Sequence, residues 1–211
     1  MIKTWIADVR PLLEKDKYYQ YYNTLPSWRK EKADRIKTPL IRAQSVGVWT
    51  LWDLMRESFN LEDASIRNFS HSGDYVLCAA EITGSPYVKL GCDIEKVERK
   101  DKHLEKFAKR FFCHSEHQAI LQCDTLEEKR ELFYRFWALK ESYVKATGMG
   151  MAIDTRSVEV NLGSTVTLLK QPKKYSDNYQ LWELHIFDLP YKIAVCTTDT
   201  EVDEALEQRI F

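Results

Sequence analysis

Residues 125–148 carry a helix signature at both ends, and a helix of that length dictates much of what can surround it. TLEE from Thr125 has the form of a capping box, in which the threonine side chain and a glutamate three residues on satisfy free backbone N–H groups. Gly148 stands where glycine is the expected terminator. Between them, FWALKESYVKATG (136–148) places Trp137, Glu141 and Lys145 at i, i+4 and i+8, on one face. An ammonium and a carboxylate on a face that begins with tryptophan fit two readings. One is a solvated ion pair, which stabilises a helix by about 0.3–0.5 kcal/mol. The other is a polar shelf inside a site. On this stretch alone the ion pair is the simpler reading, with Trp137 as core packing.

The rest of the chain supplies strands for such a helix to pack on. A short strand is expected at 2–8, then a charged, tyrosine-rich stretch to Asn23. SWRKEKADRIKTPLIR follows, with six basic residues (Arg29, Lys30, Lys32, Arg35, Lys37, Arg42) against Glu31 and Asp34. The apolar positions of 42–59 fit a helix with a wide buried stripe. NFSHSGDY reads as a tight connection, followed by strands at 75–82 and 87–94 with GSP as the turn between them. Residues 104–112 read as a helix, and SEHQ from Ser115 as the capping box of a short second one. Strands are expected at 157–162, 165–169, 179–187 and 191–198. Two similar α+β lobes, 1–98 and 99–211, account for this order better than alternating βα units.

Charge and composition exclude several function classes. The 211 residues carry a formal net charge of −1, so no global field draws nucleic acid or an anionic membrane. No apolar run approaches the roughly 18 residues of a membrane span, and MIKTWIADVR turns polar too early for a secretory leader. Five scattered cysteines (Cys78, Cys92, Cys113, Cys123, Cys196) form no CxxC and fit reduced thiols. These features predict a soluble cytoplasmic protein.

GCDIEKVE places Asp93 and Glu95 two apart at the end of a strand. Alternation points both carboxylates to one face, with Cα atoms about 6.5–7 Å apart. Like charges so placed repel unless a proton or cation intervenes. Taken alone, D-x-E is more often an exposed strand end. With Glu141 added, an oxygen-only set suits a hard cation such as magnesium, which leaves coordination positions for phosphate oxygens. Lys145, one turn beyond Glu141, then serves a phosphate or offsets the carboxylates.

Four segments together, NFSHS (68–72), GCDIE (91–95), KRFFCHSE (109–116) and WALKESYVKATGMG (137–150), occur in the order seen in Sfp-type 4′-phosphopantetheinyl transferases, which the chain resembles from about Pro26 onward. The pattern W-x-x-K-E-[AS]-x-x-K is met by Trp137, Lys140, Glu141, Ser142 and Lys145. The resemblance implies a two-lobed fold with pseudo-two-fold symmetry and a site in the cleft between lobes. It implies transfer of the phosphopantetheine arm of coenzyme A to a serine of an acyl, peptidyl or aryl carrier protein, releasing adenosine 3′,5′-bisphosphate. By motif, Asp93, Glu95 and Glu141 correspond to magnesium ligands, and Lys145 to a lysine approaching the pyrophosphate. Ser70 and His71 correspond to residues contacting the coenzyme's phosphates, and Lys32 and Arg42, with Arg29 or Lys30, to those holding its 3′-phosphate. Glu116 matches an acid close to the site whose role stays open. The chain departs from the family in lacking a Gly-Lys-Pro element before the SHS motif; Arg67 is the nearby candidate to replace its charge. That gap keeps open a runner-up, a catalytically weak scaffold that binds carrier protein or coenzyme. A metal-dependent phosphohydrolase is a third reading. Carrier contact is expected over 113–124.

Overall fold

The computed structural model describes residues 1–98 and 103–211. Its elements, in chain order, begin with β1 (Ile2–Asp8), α1 (Lys15–Tyr22), α2 (Ser27–Asp34) and α3 (Pro39–Ser58). β2 (Arg67–Ser72), β3 (Tyr75–Glu81) and β4 (Leu90–Lys96) follow. Then come α4 (Leu104–Phe111), α5 (His114–Leu121) and α6 (Leu126–Thr147). The chain closes through β5 (Glu159–Leu162), β6 (Val166–Lys170), β7 (Gln180–Leu184), β8 (Tyr191–Thr197) and β9 (Val202–Arg209). The fold is α+β.

Two sheets repeat one topology. In the first, β1 pairs antiparallel with β3, and β3 with β2; in the second, β4 pairs antiparallel with β8, and β8 with β7. Strand, long helix and two further strands therefore occur twice, as β1-α3-β2-β3 and β4-α6-β7-β8. On this topology the second unit opens at β4, not after residue 98, so Asp93 and Glu95 sit on a strand of the second sheet. The exchange also runs the other way, because β9 returns to pair in parallel with β1. The expected division at 98–99 adjoins residues outside those described.

Strand alternation builds the layers. Ile2 and Ile6 of β1 and Leu77 and Ala79 of β3 join Cys92 and Ile94 of β4 and Ile193 and Val195 of β8 in one core between the sheets. The opposite faces, with Trp5, Val76 and Cys78, pack on Val46, Leu51, Trp52 and Met55 of α3. Ala194 and Cys196 of β8 pack on Leu139, Tyr143 and Ala146 of α6. The order is helix, sheet, sheet, helix.

Gly91 decides how closely α6 lies on β4. A Cβ there would fall 2.1 Å from the Ser142 carbonyl oxygen and 2.4 Å from the Ala146 nitrogen. Only a residue without a side chain admits this crossing, which brings the face carrying Glu141 and Lys145 onto the strand carrying Asp93. α6 opens on the expected capping box, the Thr125 hydroxyl accepting from the Glu128 N–H, and ends at Gly148 with φ +70°. The α5 box is displaced from the expected Ser115: Cys113 is the N-cap and Glu116 the returning carboxylate.

Candidate active site

NFSHS, expected as a connection, forms β2, an edge strand whose alternate side chains Asn68, Ser70 and Ser72 face β4, the edge of the other sheet. Asn68 Oδ1 accepts from the Cys92 N–H at 3.1 Å, Ser70 Oγ from the Ile94 N–H at 3.3 Å, and Ser72 Oγ from the Lys96 N–H at 3.0 Å. Side chains thus satisfy backbone donors that an edge strand would leave to water. The two hydroxyls also donate: Ser70 to Asp93 Oδ1 at 2.8 Å and Ser72 to Glu95 Oε2 at 3.1 Å. Ser70, matched by motif to a phosphate contact, has both hydrogen-bonding functions engaged with β4.

α6 closes over the same strand. Lys145 Nζ donates to Asp93 Oδ1 at 2.7 Å, to the Cys92 carbonyl at 3.0 Å and to the Phe69 carbonyl at 3.5 Å. It bridges both edge strands and neutralises a carboxylate that is only 4% exposed. Trp137 does more than pack: its indole N–H donates to Glu95 Oε1 at 3.0 Å. The notion of Glu141 and Lys145 as a bare surface pair fails, because Lys145 turns inward to Asp93.

The electrostatics record crowding of negative charge. Burial, then the Asp93 charge, push the Glu95 carboxyl up to about 7. Burial and the same neighbour raise Glu141. Burial raises Asp93, with Lys145 and Ser70 pulling it back. Burial opposes the Lys145 ammonium, yet Asp93 holds its pKa above the ordinary lysine value. Asp93 Oδ2 is buried without a hydrogen-bond partner. An orphaned carboxylate oxygen among acids raised by burial, two of them also by the Asp93 charge, is chemistry that fits a hard cation. Among the described residues, however, no three His, Cys, Asp or Glu donors stand grouped for a metal as they are, and the cation against Asp93 is Lys145.

A cavity of about 930 Å³ opens beside this cluster, with Glu141, Lys145, Trp137, Phe111 and Arg110 in its lining and Asn68 the contribution of β2. Thr155 of its lining is held by a buried ion pair that settles the position of Glu116. Lys140 Nζ lies 2.5 Å from Glu116 Oε2 and donates to the carbonyls of Thr155 and Val158. Glu116 accepts from the backbone N–H groups of Cys113 and Val160. The pair ties α5, α6 and the start of β5 together.

The basic residues divide. Lys32 is exposed and close enough to His71 to contribute to its titration; the His71 pKa is lowered first by loss of hydration, then by Lys145. Arg29 is buried, with its guanidinium by the rings of Trp28 and Trp49 and donating to the Ser45 carbonyl at 2.7 Å. Lys30 donates to the Asn23 carbonyl. Arg42 lies over the Tyr18 ring in a separate pocket with Lys15, Tyr22 and Asp34. Lys30 also lies over the Tyr22 ring, which stacks on Tyr18 at 5.4 Å, so Lys30 and Arg42 flank one aromatic pair, while Arg29 is turned into the protein. Arg67, the candidate for the missing lysine's charge, donates to the carbonyls of Asp63 and Ser65 and lies over Trp52.

A family model described as the 4′-phosphopantetheinyl transferase superfamily matches residues 89–196, from the start of β4 to the end of β8. The chain belongs to the 4′-phosphopantetheinyl transferase superfamily. The matched segment is the second topological unit, with the acids, Trp137, Lys140 and Lys145 all inside it. Similar members include 4′-phosphopantetheinyl transferase Sfp of Bacillus subtilis, 36% identical over 69% of this chain and 60% of its own. HetI of Nostoc sp., also named a 4′-phosphopantetheinyl transferase, is 38% identical over 49% of this chain and 41% of its own. The alignments thus span less than two thirds of these relatives' length. A holo-[acyl-carrier-protein] synthase from Thermotoga maritima, 25% identical, covers 57% of this chain and 64% of its own at a TM-score of 0.43.

Proposed function

We propose that this superfamily member transfers the 4′-phosphopantetheine arm of coenzyme A to a serine of an apo carrier protein. The observation that carries the reading is the convergence of Lys145 and Glu141 of α6 on the buried Asp93 of β4, beside a cavity open to a ligand. The serine oxygen bonds to the β-phosphorus; the bond from that phosphorus to the bridging oxygen breaks, and adenosine 3′,5′-bisphosphate leaves with the electron pair. Lys145 moves from Asp93 to the diphosphate and stabilises charge developing there. Glu141, its carboxylate made more basic by burial and the Asp93 charge, accepts the serine proton. Asp93, Glu95 and Glu141 are the residues that would hold magnesium, whose chemistry is to neutralise phosphate oxygens. Lys32 and His71 meet the phosphates at the open side, and 113–124 meets the carrier. The protein acts as a two-lobed cytoplasmic monomer; no helix among the described residues is long and apolar enough to cross a membrane.

Mass spectrometry of apo acyl, peptidyl and aryl carriers incubated with the protein, coenzyme A and magnesium tests this. The expected product is carrier heavier by one phosphopantetheine arm; a folded protein that modifies none of them overturns it. The engagement of Arg29, Lys30 and Arg67 with backbone carbonyls favours one second reading, a scaffold with weak coenzyme affinity. Calorimetric titration with coenzyme A separates the two, since a scaffold would bind at millimolar concentration and modify nothing.

A further inference from the structure

Glu95 differs from Asp93 in how it is held. Its two oxygens are gripped from two sides by uncharged donors, the Ser72 hydroxyl on Oε2 at 3.1 Å and the Trp137 indole N–H on Oε1 at 3.0 Å. Ser72 is anchored in turn, because its oxygen accepts from the Lys96 N–H on the same strand as Glu95. Trp137 is fixed by its rings: Phe111 packs edge-on at 5.2 Å and Phe133 lies parallel at 6.3 Å. The two donors come from opposite walls, β2 of the first sheet and α6 of the second unit. Neither carries charge, so neither competes with a cation for the carboxylate as Lys145 does at Asp93.

We propose that Ser72 and Trp137 are positioning residues that fix the Glu95 carboxylate for a divalent cation, so that docking of β2 and α6 on β4 sets the cation affinity. The inference rests on the transferase reading for what the cation serves, but not for whether it binds. Each carboxylate oxygen keeps a further lone pair after accepting one hydrogen bond. Donors around a ligating carboxylate orient it, and their loss commonly weakens metal affinity about 10–100-fold.

The test measures manganese binding by electron paramagnetic resonance without coenzyme or carrier, alongside the magnesium dependence of transfer. Ser72→Ala and Trp137→Phe are expected to weaken manganese binding by about ten-fold or more and to raise the magnesium needed for half-maximal rate. Saturating magnesium should restore kcat, with KM for the carrier unchanged. Ser72→Thr, which keeps the hydroxyl, should behave as the wild type. Trp137→Phe keeps an aromatic ring in the packing, and melting curves report on folding for every variant. Wild-type-like manganese binding in both variants overturns the inference, as does a fall in melting temperature and kcat with no change in metal dependence. A wild-type protein that modifies carriers but binds no manganese also overturns it, leaving the transferase reading in place. Manganese binding that weakens as expected in a protein that modifies no carrier supports the inference and removes the transferase reading instead.

Discussion

His71 reports the local field most simply, because it titrates near neutrality and faces Lys145, Asp93 and Lys32. Its lowered pKa means the folded state binds a proton less readily than the unfolded one. The corresponding stability is therefore fully present above the unfolded value of about 6.5 and is lost as pH falls through the folded value. A proton NMR titration should place its midpoint below 6.5. Lys145→Met should move the midpoint part of the way back, since the lysine is the second cause after lost hydration. A midpoint unchanged by the substitution would separate His71 from the acid cluster. Asp93→Ala removes the acceptor of Ser70 and Lys145 at once; we expect it to abolish transfer while far-UV circular dichroism is retained. Near-normal carrier labelling by that variant would remove Asp93 from the chemistry.

At the scale of elements, the crossing of α6 over β4 and the Lys140–Glu116 brace between α5 and α6 each make a prediction. Gly91→Ala forces a methyl group into the α6 backbone, and overpacking of this kind costs about 1–3 kcal/mol or more. Chemical denaturation should show a loss of that size, with transfer falling further than stability because α6 carries Glu141 and Lys145. An unchanged midpoint would mean that the helix does not lie this close. Breaking the fully buried Lys140–Glu116 pair by Lys140→Met alone strands a carboxylate. That should destabilise by about 3–5 kcal/mol, whereas Lys140→Met with Glu116→Leu should recover a substantial part. A double variant no more stable than the single one would contradict this account of the brace.

The same elements show what the sequence discloses and what it withholds. α6 was legible at both ends because a capping box and a left-handed glycine are local chemistry. The near-continuous apolar runs of β3 and β8 were legible because both faces are buried. β2 was not, since Asn68, Ser70 and Ser72 face another strand's backbone rather than a core, so period two appears in hydrogen-bonding residues instead of apolar ones. β9 escaped for a related reason: an acidic edge strand lacks apolar periodicity. Lys145 was expected to serve a phosphate or offset the carboxylates, and it stands in an ion pair with Asp93. The indole bond to Glu95 was not expected, because tryptophan on a helix reads first as packing. Arg42 was matched by resemblance and Arg67 by its charge alone; the ring under each guanidinium, Tyr18 and Trp52, was not foreseen, because sequence distance hides such pairings.

Across the whole molecule, two β-α-β-β units stack sheet to sheet, and the site forms where the edge of one is stitched to the edge of the other. Asp93 owes its burial to that seam, and Lys145 crosses it to reach carbonyls of both strands. The account therefore stands on one arrangement: the acids at the seam and α6 must enclose a cation and a diphosphate together. A crystal structure with coenzyme A and manganese, using the anomalous signal of the ion, tests it most directly. The predicted result is one manganese coordinated by Asp93 and Glu141, with the diphosphate on the same ion and Lys145 turned toward it. Manganese or diphosphate bound away from these residues, with Lys145 still on Asp93, would contradict it.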